Sequence, residues 1–198
     1  MIFRTHSLIL SSFLVALTVL PVQAQTPSAP QTGLGGPVIA GVCLMSREAV
    51  LVNSKAGVAA TARLQQLTTE AQTEIVNLRK PVETEAEALR KEQAKLSTEQ
   101  LSTRQKALGQ KLQTVQLQAE HRGREIEATR QKVLDKISTE AQPVIASVYK
   151  AKGCGLLVDR NSVLGGNLTN DITASVVAAL DTKLSTVTFN REVLPVSQ

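Results

Sequence analysis

The chain has 198 residues, with 22 Lys and Arg against 17 Asp and Glu, a formal net charge of +5 and only 2% aromatic residues. So small an excess of positive charge argues against dedicated nucleic-acid binding, although the sequence pI of about 9.4 leans that way. So few aromatics cannot fill a conventional globular core, whereas the Ala, Leu, Gln, Glu, Lys and Arg sustained through the middle of the chain make up long helices and coiled coils.

The first residues read as a secretory signal peptide over 1–24. Arg4 precedes the apolar run Ser7 to Leu20, and Val22-Gln23-Ala24 supplies a small-residue cleavage site. That run falls short of the ~20 residues that cross a bilayer, so cleavage is expected rather than a retained anchor. Loss of Arg4 leaves 21 basic against 17 acidic residues, a balance of +4. Phe3 and Phe13 leave with the signal, and Tyr149 and Phe189 are then the only aromatics. Residues 25–37, "QTPSAPQTGLGGP", are uncharged and rich in Pro, Gly, Ser and Thr, the composition of a flexible lead-in.

"VIAGVCLM", from Val38, suits a strand, and it runs directly into the small-residue helix opening "SREAVLVNSKAG". From Ser54 the chain continues for almost a hundred residues with few turn signals, too long for one globular helix. Two antiparallel arms over 54–143 are the natural solution. In the first, Leu64, Leu67, Ala71, Ile75, Leu78, Val82, Ala86 and Leu89 repeat every eleven residues as a nearly straight apolar seam. In the second, Leu112, Ala119, Ile126 and Val133 recur every seven residues, with Leu108 and Val115 in the other register. "LSTEQLST", Leu96 to Thr103, gathers the Ser and Thr residues that can cap a new helix, and the hairpin tip is placed there.

Pro81 lies inside the first arm, where the lost donor and the ring clash cost about 3 kcal/mol. It reads either as a tolerated exposed residue or as a joint at which the arm bends. Gly109 and Gly123 weaken the returning arm by about 1 kcal/mol each relative to Ala. Both arms should therefore be compliant.

After Pro143, "GLLVDRNSVLGG" reads as a strand, a turn through Asp159-Arg160-Asn161 and a short second strand. "NDITASVVAALDTKL" follows as an amphipathic helix capped by Asn170 or Asp171, burying Ile172, Val176, Ala179, Leu180 and Leu184. Residues 185–198 are a tail or an edge strand. The expected fold class is thus α+β: a small β-rich body from 38–53 and 144–184, with a long helical hairpin inserted in it. About 57 residues in the body is close to the size at which a lone core becomes marginal, so association of copies is expected.

The stretches "VIAGV", "SREAVLVNSKAG", "GLLVDRNSVL" and "NDITASVVAALD", in order around a hairpin of this length, resemble the Skp/OmpH family of periplasmic chaperones. The resemblance implies a homotrimer whose coiled-coil arms enclose a cavity that holds unfolded outer-membrane proteins without ATP. The chain agrees in having no G-x-x-x-x-G-K-[ST] phosphate loop. Cys43, Cys154 and the residues from Phe189 to Gln198 depart from the family pattern.

If the two strands form an antiparallel pair, the end of the first lies beside the start of the second, and Cys43 and Cys154 could form a disulfide at the foot of the arms. A one-residue slip in register would leave two buried thiols instead. Arg90, Lys91, Lys95, Arg104, Lys106 and Lys111 stand against only Glu92 and Glu99 near the tip. They read as a solvated face or as contacts for acidic client segments or an anionic membrane surface. Leu89, Leu96, Leu101 and Leu108 either zip the arms together or face clients. His121 is expected to be solvated, and no catalytic, cofactor or metal-ligand constellation can be assembled around it. Asn167-Leu168-Thr169 fits N-x-[ST] but reads as the loop leading into a helix. The function that the resemblance implies is that of a non-enzymatic holdase chaperone without cofactors. The alternative is a structural coiled-coil adaptor in an envelope assembly.

Overall fold

The structure is a computed structural model that describes residues 33–195. The expected signal peptide, most of the lead-in and the last three residues lie outside it. In chain order it contains β1 (Val42–Met45), α1 (Arg47–Asn53), α2 (Lys55–Glu92), α3 (Thr98–Ala151), β2 (Leu156–Asp159) and α4 (Thr173–Lys183). At 1.5 Å per residue, the 38 residues of α2 extend about 57 Å and the 54 of α3 about 81 Å.

Serines set the breaks between the first helices. Ser46 Oγ accepts from the Ala49 amide to start α1, and Ser54 Oγ accepts from the Gly57 amide to start α2. Ser54 is also where α1 ends, its extended ψ of 152° separating two helices that sequence alone would run together. Gly57 is required there, because a Cβ would collide with the Leu51 carbonyl of α1.

The hairpin tip is one 3₁₀ turn, Gln93–Lys95, followed by Ser97 as the N-cap of α3. Ser97 Oγ accepts from the Gln100 amide, and Gln100 Oε1 accepts from the Ser97 amide in return. The tip thus lies at the leading edge of the Ser/Thr stretch, and Ser102 and Thr103 are already helical. Pro81 and Pro143 both sit within continuous helix. α3 runs eight residues beyond Pro143, held by Ile137, Ala141 and Val144 in the core.

β1 and β2 pair in parallel, with Val42 opposite Leu156 and Met45 opposite Asp159. This corrects the antiparallel expectation, which followed from treating the hairpin as a simple rise and return. The chain is redirected at Ser54 and again at Gly153, whose φ of +65° suits glycine. The helical insert therefore acts as the long crossover that parallel strands need. The second strand expected after the Asp159-Arg160-Asn161 turn is also absent. Arg160–Ser162 form a 3₁₀ turn and Leu164 is fully exposed. The free edge of β1 is instead taken by the start of the α4 region. The Leu44 amide donates to the Asn170 carbonyl, and the Ile172 amide donates to the Leu44 carbonyl.

Cys43 and Cys154 are joined by a disulfide, with Cα atoms 5.7 Å apart. Cys154 lies just before β2, where the Gly155 and Leu156 amides both donate to the Gly41 carbonyl. The bond therefore ties the starts of two parallel strands. Around it Val50, Ala56, Ala60, Val133, Ile137, Val176 and Leu180 form the core at the foot of the hairpin. Of the stripe expected for α4, Val176, Leu180 and the preceding Ile172 are buried while Ala179 and Leu184 are half-buried, and Asp171 Oδ1 accepts from the Thr173 amide at the start of the helix.

Candidate functional site

Along the arms the seam departs from its sequence pattern in a way that creates surface. Leu64, Leu67, Ala71, Val82 and Leu89 are buried on α2, as are Val115 and Val133 on α3. Leu78 and Leu112, both expected in the seam, are 47% and 48% exposed. Val76 and Leu117 are more exposed still. Leu96, Leu101 and Leu108 are half-buried, so they are shared between the helix contact and the surface.

Halfway along the hairpin the seam opens into a groove of about 550 Å³. Its floor and walls are Ala71, Ile75 and Val76 from α2 with Ala119, Gly123 and Ile126 from α3. Small residues at 71, 119 and 123 leave the facing helices without side chains to fill the gap, and a Cβ at Gly123 would meet nothing. Arg79 and Arg122 stand among the lining residues. The arrangement offers apolar surface with cationic and amide groups at its margin. That chemistry holds chains non-covalently.

Near the groove, ionic groups tie the two arms together. Glu125 is almost fully buried and receives Arg122 Nη1 at 2.8 Å, Arg191 Nε at 3.3 Å and His121 Nε2 at 3.1 Å. Glu74 on α2 receives Arg122 Nε at 2.7 Å and both Nη atoms of Arg191 at 3.0 and 3.2 Å. His121 is thus buried, at 5% exposure, and not solvated as its place on a polar course suggested. It lies one turn from Glu125 on the buried stripe of α3, which continues through Thr129 and Val133.

Hydrogen bonding from Arg191 holds the Glu74 carboxyl below the ordinary carboxylate range, against partial desolvation and with help from Arg122. Burial lowers Arg122, and its bonds to Glu74 and Glu125 more than reverse this, so its guanidinium is held more firmly charged. Because folding depresses Glu74, its stabilising contribution is complete above about 4.3, the unfolded glutamate value, and is lost as pH falls through the lower folded value. Carboxyl-carbon NMR should show Glu74 titrating below a free glutamate, and Arg191→Ala should move it upward.

All six basic tip residues are exposed. Arg104 pairs with Glu92 at 2.9 Å and Lys111 pairs with Glu85, both across the hairpin. Arg90, Lys91, Lys95 and Lys106 form no ion pair among the described residues. Those residues also contain no group of His, Cys, Asp and Glu arranged to hold a metal, and no helix long and apolar enough to cross a membrane.

A family model described as "Outer membrane protein (OmpH-like)" matches residues 41–180. The chain belongs to the OmpH-like family. A crystal structure of a candidate outer membrane chaperone (OmpH-like) from Caulobacter crescentus CB15 is similar to this chain. It is 34% identical, covers 84% of this chain and 98% of its own, and superposes with a TM-score of 0.74. No curated protein matches. The mostly helical α+β fold with its small sheet is that of the OmpH-like family, and the family and this neighbour together support a chaperone role. Arg191 and the tail lie beyond the part that the family model matches.

Proposed function

We propose that this OmpH-like chain is an ATP-independent holdase that keeps unfolded outer-membrane proteins from aggregating in the periplasm. The observation that carries this reading is the mid-arm groove, together with the exposed Leu78, Leu112 and Leu117 on the same hairpin. An unfolded β-barrel exposes apolar side chains at every second residue, and many weak contacts along several arms would hold it without one tight site. The signal-like residues 1–24 support export, and the Cys43–Cys154 disulfide suits an oxidising compartment. The body is small, and Val52 and Leu156 are more than half exposed, which supports a homo-oligomer; three arms around a cavity are what the family resemblance implies.

The test is dilution of a urea-unfolded β-barrel outer-membrane protein into buffer with and without the purified chain, followed by light scattering. Suppression by a few-fold molar excess without nucleotide is expected. Unchanged aggregation of several such barrels, with tight binding to one folded partner, would replace the holdase by a structural adaptor.

The tip is proposed to meet acidic client segments or anionic lipid headgroups through its unpaired cations. Replacing Lys91, Lys95 and Lys106 together by Gln should weaken capture severalfold at low salt and flatten its salt dependence, because exposed charges are screened beyond about 10 Å at 0.1 M. Identical affinity and salt slope in binding titrations would remove the tip from client capture.

A further inference from the structure

From Ser185 the chain leaves α4 without forming helix or strand and runs outward along the hairpin. Its side chains alternate. Val187, Phe189 and Arg191 turn inward while Thr188 and Asn190 stay exposed, as in an extended segment with one face against a support. Val187 is in the core and Phe189 packs on it. Arg191 then bridges Glu74 of α2 and Glu125 of α3. Beyond it the Glu192 amide donates to Thr129 Oγ1 at 2.8 Å, Lys132 Nζ pairs with Glu192 at 2.8 Å, and the Leu194 amide donates to Glu125 Oε1 at 3.4 Å.

The tail thus touches both arms, and among the described residues its last contacts are at the level of Glu74 and Glu125. Outward from there, among the described residues, α2 and α3 pack on each other. Between Pro81 and Val115 the buried apolar residues are Val82, Leu89 and Val115, supplemented by exposed ion pairs. Exposed pairs contribute little, typically below 1 kcal/mol. Pro81, where a backbone donor is missing, lies seven residues beyond Glu74, about 10 Å further along the helix.

We infer that residues 186–194 are a strap that locks the root half of the arm to the body, so that bending is confined to the outer half and begins at Pro81. The strap makes the root a three-part assembly of two helices and one extended chain. Its outer part is ionic, so loss of Arg191 frees it while Val187 and Phe189 stay anchored. This inference stands whether or not the arms hold clients.

Hydrogen–deuterium exchange of the full chain tests it directly. In the unaltered protein, amides of 60–78 and 121–140 should exchange at least tenfold more slowly than those of 82–115. Arg191→Ala should raise exchange at 64–78 and 121–133 tenfold or more and leave 82–115 and the body strands unchanged. A chain ending at Asn190, which retains Val187 and Phe189, should do the same, and Arg191→Lys should fall between. Equal exchange in both halves of the unaltered arm would overturn the inference. So would a root unaffected by either variant, or a rise spread equally over β1, β2 and α4.

Discussion

Replacing Cys43 and Cys154 together by alanine should lower stability by about 4 to 5 kcal/mol, with the fold of the remaining protein retained. The two cysteines are 111 residues apart, so the bond closes a loop that contains α1 and the entire hairpin. In the chain-entropy model a closed loop of about 100 residues contributes about 4.7 kcal/mol by restricting the unfolded chain. The effect should be large here because the core at the foot of the arms must hold down two helices that contribute few buried residues further out. Urea unfolding of the variant, and of the unaltered protein with and without dithiothreitol, should show the same displacement at fixed protein concentration. A loss below about 1 kcal/mol would mean that the body is stable without the bond.

Removing the Glu125 carboxylate should be nearly as damaging. Glu125→Ala strips the buried anion from Arg122, Arg191 and His121 at once and leaves the Leu194 amide without its acceptor. Deleting one member of a buried ionic group costs about 3 to 5 kcal/mol, because the opposite charges remain desolvated. Glu74→Gln makes the internal comparison: its side chain is 42% exposed, water can replace the lost partner, and the cost should stay near or below about 1 kcal/mol. Denaturant midpoints of the two variants check the ranking. Equal effects would mean that the cluster is solvated rather than buried.

Much of this architecture can be read from residue spacing. The eleven-residue repeat on α2 gives the helix and most of its buried positions, and Ile172, Val176 and Leu180 give the face of α4. Strand direction is not legible in that way. It depends on turns at Ser54 and Gly153 that redirect the chain, and neither residue differs in type from loop or cap residues elsewhere.

The ionic cluster escaped the sequence for a different reason. The seam of α3 is continued by His121, Glu125 and Thr129, polar residues at the same four-residue spacing as Val133, Ile137 and Ala141. A search for apolar periodicity passes over them, and their partner Arg191 is 66 residues beyond Glu125. The signal available was the spacing itself: three polar residues in register with a buried stripe, and an unmatched "NREV" at the end of the chain.

The groove between Ala71, Ala119 and Gly123 was legible only as weakness, in small residues where a zipper would carry leucine. That open stretch of seam is the basis of the functional reading. Site-specific photo-crosslinking puts it to the most direct test. A photoreactive residue at Val76 or Leu117 on the arms, or at exposed Glu48 on the body, would be irradiated with an unfolded β-barrel outer-membrane protein bound. Strong adducts from positions 76 and 117 and little from 48 are predicted. Adducts concentrated at 48, with the arm positions silent, would contradict an arm-held client.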